Sequence, residues 1–421
     1  MKKSLLTAAV LSAVSFGAYA DGVELYGVLD VAVATVTNAL SPDSNFSTGL
    51  SIKGGTASTV TNSFTGMLGG GIQASRWGIK GSEDLGDGMK AIFQLESGIQ
   101  LPSGSLANSA QSLLDAKASG TTFGSNGSTN GELFSRQAWV GLSDAEMGTI
   151  KFGKNYVFMY DVYGSYDPVQ YAGLFSPLGT SGTYGGGNGV SENLRQINSV
   201  KYTGKMGDVN YGAMYKFGNV AGSTSNGSAY GFNIGYEKGA LGLQAVYQGA
   251  TDAIIESAAS STTLKLTQVN TNAVLLAAKY KFSADLTGKV TYQRYTKSAP
   301  SDQLVSPGFY NNLTVGAIAN PTTNASVNIA SVGGDYNFSP KLNLSVGYFA
   351  VNVDATAATP ANATTAAIAA TAAYTENYAS VLLDYSLSKR TDVYAGLMNE
   401  TTGQAGYNNQ NLIAVGMRHK F

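Results

Sequence analysis

Few side chains in this 421-residue chain could do covalent chemistry. It has no Cys and one His, which excludes a thiolate nucleophile, a disulfide framework and a thiolate or multi-His metal centre. The lone His419 stands two residues before the C-terminal Phe421, where Ser/His or Asp/His pairing has almost no candidates, so no hydrolase is expected. Acids cluster nowhere at a spacing that demands calcium. No cofactor and no metal are therefore expected. What remains is charge spaced along alternating segments: Arg76, Lys80, Arg136, Lys151, Arg195 and Lys201, with Glu96 on a like segment and Asp161 and Asp167 in a long loop. Such groups do not make bonds. Opposed across a narrow, water-filled gap they set up a field that orients dipolar solutes and weights ions by sign.

A scaffold must hold those charges in place, and the composition bounds it. Charged residues make up 13% of the chain, about half the usual ~25%, and Gly is abundant at 52 residues. Mean hydropathy is -0.02. A disordered chain needs more charge, and a helical membrane protein needs long apolar runs. With 26 basic against 27 acidic side chains, a nucleic-acid partner is not expected.

The N-terminus reads as a secretory signal peptide over residues 1–20. Lys2 and Lys3 form the positive end, Leu5 to Phe16 the apolar core, and Ala18-Tyr19-Ala20 a small-x-small cleavage site. No later segment reaches the ~18 apolar residues of a spanning helix, since Pro360 and Asn362 interrupt the Ala/Thr tract from Ala355 to Ala373. A period of two prevails instead. Met89, Ala91, Phe93 and Leu95 share one face, and Lys90, Gln94 and Glu96 the other; Ile413, Val415 and Met417 oppose Arg418 and Lys420.

Sixteen such runs can be counted between Val23 and the C-terminus, with starts near Gln73, Glu132 and Thr271 among them. Tight links such as Asp84–Gly88, Asp144–Gly148 and Met206–Asp208 alternate with long Gly/Ser/Asn/Thr-rich stretches such as Thr37–Ile72, Leu101–Gly131 and Val157–Asn193. A soluble sandwich has no strict short-long alternation. The pattern predicts an all-β, 16-stranded antiparallel transmembrane β-barrel over residues 21–421, with short periplasmic turns and long extracellular loops. Closure follows because hydrocarbon offers no hydrogen-bond partner to a strand edge. Apolar faces then meet lipid and polar faces line the lumen, while Tyr202, Tyr211, Tyr236, Tyr280, Tyr336 and Tyr385, near the short turns, fit an aromatic girdle.

Six segments, in order, carry a family resemblance: Val23–Asp30, Ser75–Gly86, Ala91–Gly98, Arg136–Leu142, Leu387–Thr391 and Val415–Phe421. Over essentially its whole length the chain resembles Gram-negative general porins of the betaproteobacterial and neisserial type. The resemblance implies a homotrimer in the outer membrane, amid lipid and lipopolysaccharide, passing ions and small hydrophilic solutes by passive diffusion. It implies that the third long loop, Val157–Asn193, folds into the lumen, and that Arg76, Arg136 and Arg195 form a basic wall opposite it. Phe421 resembles the terminal aromatic read by the barrel-assembly machinery. More cations than anions fall near the expected constriction, with Glu96 as the main opposing acid, so a mild anion preference is expected. The nearest rival is a substrate-specific channel for a sugar or an organic acid, with Tyr160, Tyr163, Tyr166 and Tyr171 as stacking surfaces. Packing of the loop against the wall is the simpler reading of those rings.

Overall fold

The computed structural model describes residues 22–38, 63–106, 133–180, 195–218, 224–225, 227–260, 263–298, 314–319, 325–355, 370, 372–403, 405 and 408–421. The expected signal peptide, most of the first two long loops and the end of the third lie outside the described residues.

The chain forms a closed, antiparallel barrel of sixteen strands. They are β1 (Glu24–Val36), β2 (Phe64–Gly69 continued by Arg76–Gly86), β3 (Met89–Gln100), β4 (Gln137–Asp144), β5 (Gly148–Tyr156), β6 (Arg195–Met206), β7 (Val209–Lys216) and β8 (Ala229–Lys238). The second half comprises β9 (Leu241–Ser260), β10 (Thr263–Lys281), β11 (Leu286–Ser298), β12 (Ala325–Ser339), β13 (Leu342–Val353), β14 (Tyr374–Ser386), β15 (Thr391–Thr402) and β16 (Gln410–Lys420). Each strand pairs with its neighbours in sequence, and β1 closes on β16 from Val28↔Lys420 to Val36↔Leu412. Two short segments are appended: Ser105–Leu106 pairs with the end of β3, and Thr314–Ala319 runs parallel to the start of β10. Among the described residues no helix is long and apolar enough to cross a membrane; the strands cross instead.

Alternation sorts the side chains as expected. Ile413, Val415 and Met417 are exposed on the outer face of β16, and Leu412, Ala414 and Arg418 are buried on the inner one. The same holds for exposed Val140, Leu142 and Phe152 on β4 and β5 against buried Trp139. Apolar surface in water costs ~25 cal/mol per Å², so this outer belt needs hydrocarbon around it. The six expected girdle tyrosines lie at the short-turn ends, where Tyr202 and Tyr211 form a tilted ring pair 6.2 Å apart. Phe421 extends the closure: its N–H donates to Gly27 O at 3.1 Å and its carbonyl accepts from Gly27 N at 3.0 Å.

Among the irregularities in the ladders, two bear on the lumen. The second strand starts at Phe64, earlier than its periodicity suggests, and is interrupted at Gly70–Ser75; both halves pair with β1. The other is a bulge in β5, where the register with β6 shifts between Gly153 and Asn155. Gly153 has φ +132°, and a Cβ there would stand 2.2 Å from Ala138 O, so the bulge requires glycine. Strict alternation from exposed Phe152 would send residues 154 and 156 to lipid; the bulge turns Lys154 and Tyr156 inward, where both are buried.

After β5 the chain enters the barrel. Helix α1 (Phe158–Tyr166) and the short α2 (Pro177–Thr180) belong to the third long loop. Phe158, Met159, Tyr163, Tyr166, Val169 and Phe175 pack against inward residues such as Leu275, Tyr295, Ile329 and Phe349, so this loop supplies the barrel with its only extensive apolar core among the described residues.

Candidate functional site

The basic wall rises on β2 to β6. Arg136 immediately precedes β4 and sends its Nε to Glu96 Oε1 on β3 at 2.7 Å, while Arg76 Nε lies 3.5 Å from Glu96 Oε2. The Tyr156 hydroxyl donates to Glu96 Oε1 and that of Tyr26 to Oε2, each at 2.9 Å. The guanidinium groups of Arg195 and Arg136 sit 5.1 and 5.7 Å from the Tyr156 ring centroid, within cation–π range. Lower on the same wall, Lys151 Nζ lies 4.2 Å from the Trp139 ring. Lys201 donates to the Tyr156 carbonyl at 2.7 Å and pairs with Asp161 in the first turn of α1.

Five of the six expected cations are thereby gathered: Arg76, Arg136, Arg195, Lys151 and Lys201. Lys80 stands apart toward the short turn, in an exposed pair with Glu24 at 3.2 Å. The acids fall differently from expectation. Glu96 does not oppose the arginines; it is the buried carboxylate around which Arg76 and Arg136 are arranged. Asp161 stays half-exposed at the root of the loop. Asp167 is fully buried inside the loop and lines no channel. Its carboxylate accepts from Val169 N at 2.8 Å and Ser176 Oγ at 2.7 Å, closing the turn after α1. Burial pushes the Asp167 carboxyl up from the ordinary range, against the pull of those hydrogen bonds and of Lys289.

The loop is tied to the wall along its length. Tyr163 donates to Gln293 on β11 at 3.0 Å, and Tyr166 to Glu237 on β8 at 2.9 Å. Lys289 on β11 donates to Asp167 O at 3.1 Å, and Gln170 to Asp335 on β12 at 2.9 Å. Tyr160 stacks on Tyr156 with centroids 4.0 Å apart, and Tyr171 stacks on Tyr163 at 5.2 Å. The four loop tyrosines thus pack the loop against wall and self rather than forming a free ladder of stacking faces. Among the described residues no group of three or more His, Asp or Glu is arranged to hold a metal ion.

Sequence reasoning missed Tyr26, Gln94, Gln170 and the Lys289–Asp335 pair, 2.7 Å apart, because each acts through a partner far along the chain. Tyr156 was legible only in part. The isolated Gly153 within a strand is the signal that alternation breaks there.

A closed barrel with an apolar belt outside, a charged wall inside and a loop packed into its lumen defines the class: an outer-membrane barrel of the channel-forming kind. The chain matches the profile of the Gram-negative porins over residues 7–405 and belongs to that family. It is 32% identical over 246 residues to an outer membrane porin protein of Bordetella pertussis, a match covering 56% of this chain and 48% of that protein. With outer membrane porin protein 32 of Delftia acidovorans it shares 27% identity over 308 residues, 72% of each chain. Its fold is similar to that of an anion-selective porin from Comamonas acidovorans, with a TM-score of 0.63 at 19% identity over 95% of this chain and 99% of that one. It is also similar to the trimer form of OmpT of Vibrio cholerae, with a TM-score of 0.57 at 15% identity over 95% and 99%. At such identities the likeness to these structures is one of fold.

Proposed function

We propose that this porin conducts ions and small hydrophilic solutes passively across the outer membrane, with a mild preference for anions. One observation carries the sign: five cations converge on the wall of β2 to β6, and the two carboxylates among them, Glu96 and Asp161, are both tied up in ion pairs. A surplus of fixed positive charge in a narrow aqueous gap concentrates anions and repels cations. The anion selectivity named for the Comamonas porin agrees with this sign. The test is the reversal potential of single channels in a salt gradient. A cation-favouring sign in the wild type overturns the preference, and the absence of conductance steps overturns the channel. The double variant Arg76→Ala with Arg136→Ala is expected to shift permeability toward cations.

A specific channel for organic acids is the second reading. It is favoured over a sugar channel because the loop tyrosines are spent on packing, which leaves the arginines as the recognition groups. Concentration-dependent block of the current by a small carboxylate, absent with the matching neutral amide, would support it.

The working unit is read as a homotrimer set in lipid and lipopolysaccharide, inserted by the barrel-assembly machinery with Phe421 as its signal after residues 1–20 are removed. Trimerisation is supported by family membership and by the trimer form known for the OmpT fold. Conductance rising in groups of three steps per insertion is the expected result.

A further inference from the structure

We propose that Asp30 is a positioning residue for the channel loop: its buried carboxylate folds the interruption of β2 into a seat, and the tip of the loop docks on that seat. The proposal rests on the reading that this loop narrows an open channel.

Asp30 lies on the inner face of β1 with no exposed surface. Its Oδ1 accepts from Gly71 N at 3.0 Å, and its Oδ2 from Ile72 N at 3.0 Å and Gln73 N at 2.7 Å. Three successive amides are thereby turned toward one carboxylate, which no ladder pairing of β2 would allow. Ser75 seals the end of the gap: its hydroxyl accepts from Asp30 N at 2.9 Å and donates to Asp30 O at 3.0 Å. With their N–H groups drawn to Asp30, the peptides of the gap present carbonyls to the lumen. Gly71 O accepts from Leu174 N at 2.9 Å and Ile72 O from Gly173 N at 3.3 Å, both donors at the tip of the loop.

The fit at the seat is close. A Cβ on Gly173 would stand 2.1 Å from Gly70 O, so only glycine lets the two backbones meet. Tyr394 on β15 serves both partners. Its hydroxyl donates to Asp30 Oδ1 at 2.5 Å, and its ring meets Phe175 of the loop edge-on with centroids 6.4 Å apart. The far end of the loop is thus held by β1, β2 and β15, while its root is held by Lys201 and Arg136 on the basic wall. Loosening the seat frees the tip while the charges of the wall stay where they are.

Asp30→Asn keeps the volume but replaces one acceptor oxygen by an NH₂ group, which cannot receive the amides it faces. Losing hydrogen bonds to a charged acceptor is expected to raise the undocked population roughly ten- to hundredfold. Gly173→Ala attacks the same contact from the loop side without touching the carboxylate, and Tyr394→Phe removes one donor while keeping the ring on Phe175. In planar bilayers, Asp30→Asn and Gly173→Ala are expected to turn a steady single-channel current into frequent fluctuations with the reversal potential unchanged, and Tyr394→Phe to give a weaker form of the same change. Protease cleavage within residues 157–180 of the folded, heat-modifiable barrel provides a readout that needs no current: uncut in the wild type, cut in both strong variants. A folded Asp30→Asn barrel with steady current and an uncut loop overturns the proposal. Should Asp30→Asn not fold, the same result in Gly173→Ala overturns it. A wild type that passes no current removes the channel reading, whereas the cleavage pattern still decides the anchoring.

Discussion

Tyr156 and Glu96 are sixty residues apart in the chain and 2.9 Å apart in the barrel, and the Gly153–Asn155 bulge is what brings them together. Without the extra residue Tyr156 would face lipid, Glu96 would lose a donor, and Arg195 would lose the ring beneath it. Replacing Gly153 by Ala strains a backbone at φ +132° and drives a methyl into Ala138 O. The expected cost is ~1–3 kcal/mol of folding stability, read from urea unfolding in detergent, together with altered conductance. Tyr156→Phe keeps the ring and gives up one hydrogen bond to a buried carboxylate, about 1.5–3 kcal/mol. A Gly153→Ala protein matching the wild type in both measurements would mean that the bulge does not govern the wall.

Glu96 is a buried acid serving two arginines. Breaking a buried ion pair by removing one partner costs ~3–5 kcal/mol, because Arg136, itself almost fully buried, keeps its charge without a counter-ion. Glu96→Gln is therefore expected to lower stability and, in the channels that do insert, to move the reversal potential further toward anions. A shift toward cations would contradict the placement of Glu96 within the wall.

Lys201 ties the first turn of α1 to β6 through Asp161 and the Tyr156 carbonyl. Lys201→Met removes one positive charge and releases one carboxylate, so the anion-to-cation permeability ratio should fall by more than in Lys80→Met. Lys80 lies at the short-turn end, paired with Glu24 in solvent, and exposed pairs contribute little. Equal effects from the two variants would show that Lys201 does not border the narrow part.

One acid outside the strands, Asp167, should make the loop respond to pH. Its carboxyl is pushed up by burial, so the docked turn is favoured when it is protonated; that contribution is full below the unfolded value of ~3.9 and lost as pH rises through the folded one. Protease resistance of residues 157–180 should accordingly weaken from acid toward neutral pH, and Asp167→Asn should flatten the profile. A profile of the same slope in Asp167→Asn would assign the pH dependence to another group.

The barrel itself was legible in the chain because lipid and lumen impose a period of two that every strand must obey. Alternation placed Ile413 and Val415 outside and Arg76, Lys151 and Lys201 inside, and the short-long rhythm of connections yielded the sixteen strands. The choice of partner within the lumen was not legible. Glu96 and Asp167 look alike in sequence, each an acid at a plausible inward position. One became the hub of the arginine wall and the other the buried pin of a loop turn, because the tertiary structure decides how much water and which donors each carboxylate meets. Asp30 has the same lesson: its role depends on an interruption in a neighbouring strand and on Tyr394, 364 residues away. Periodicity is local, a property of each residue's nearest neighbours in the chain, and a sequence states it outright; desolvation and hydrogen-bond geometry are settled only when distant strands and the inward loop close around the same few atoms.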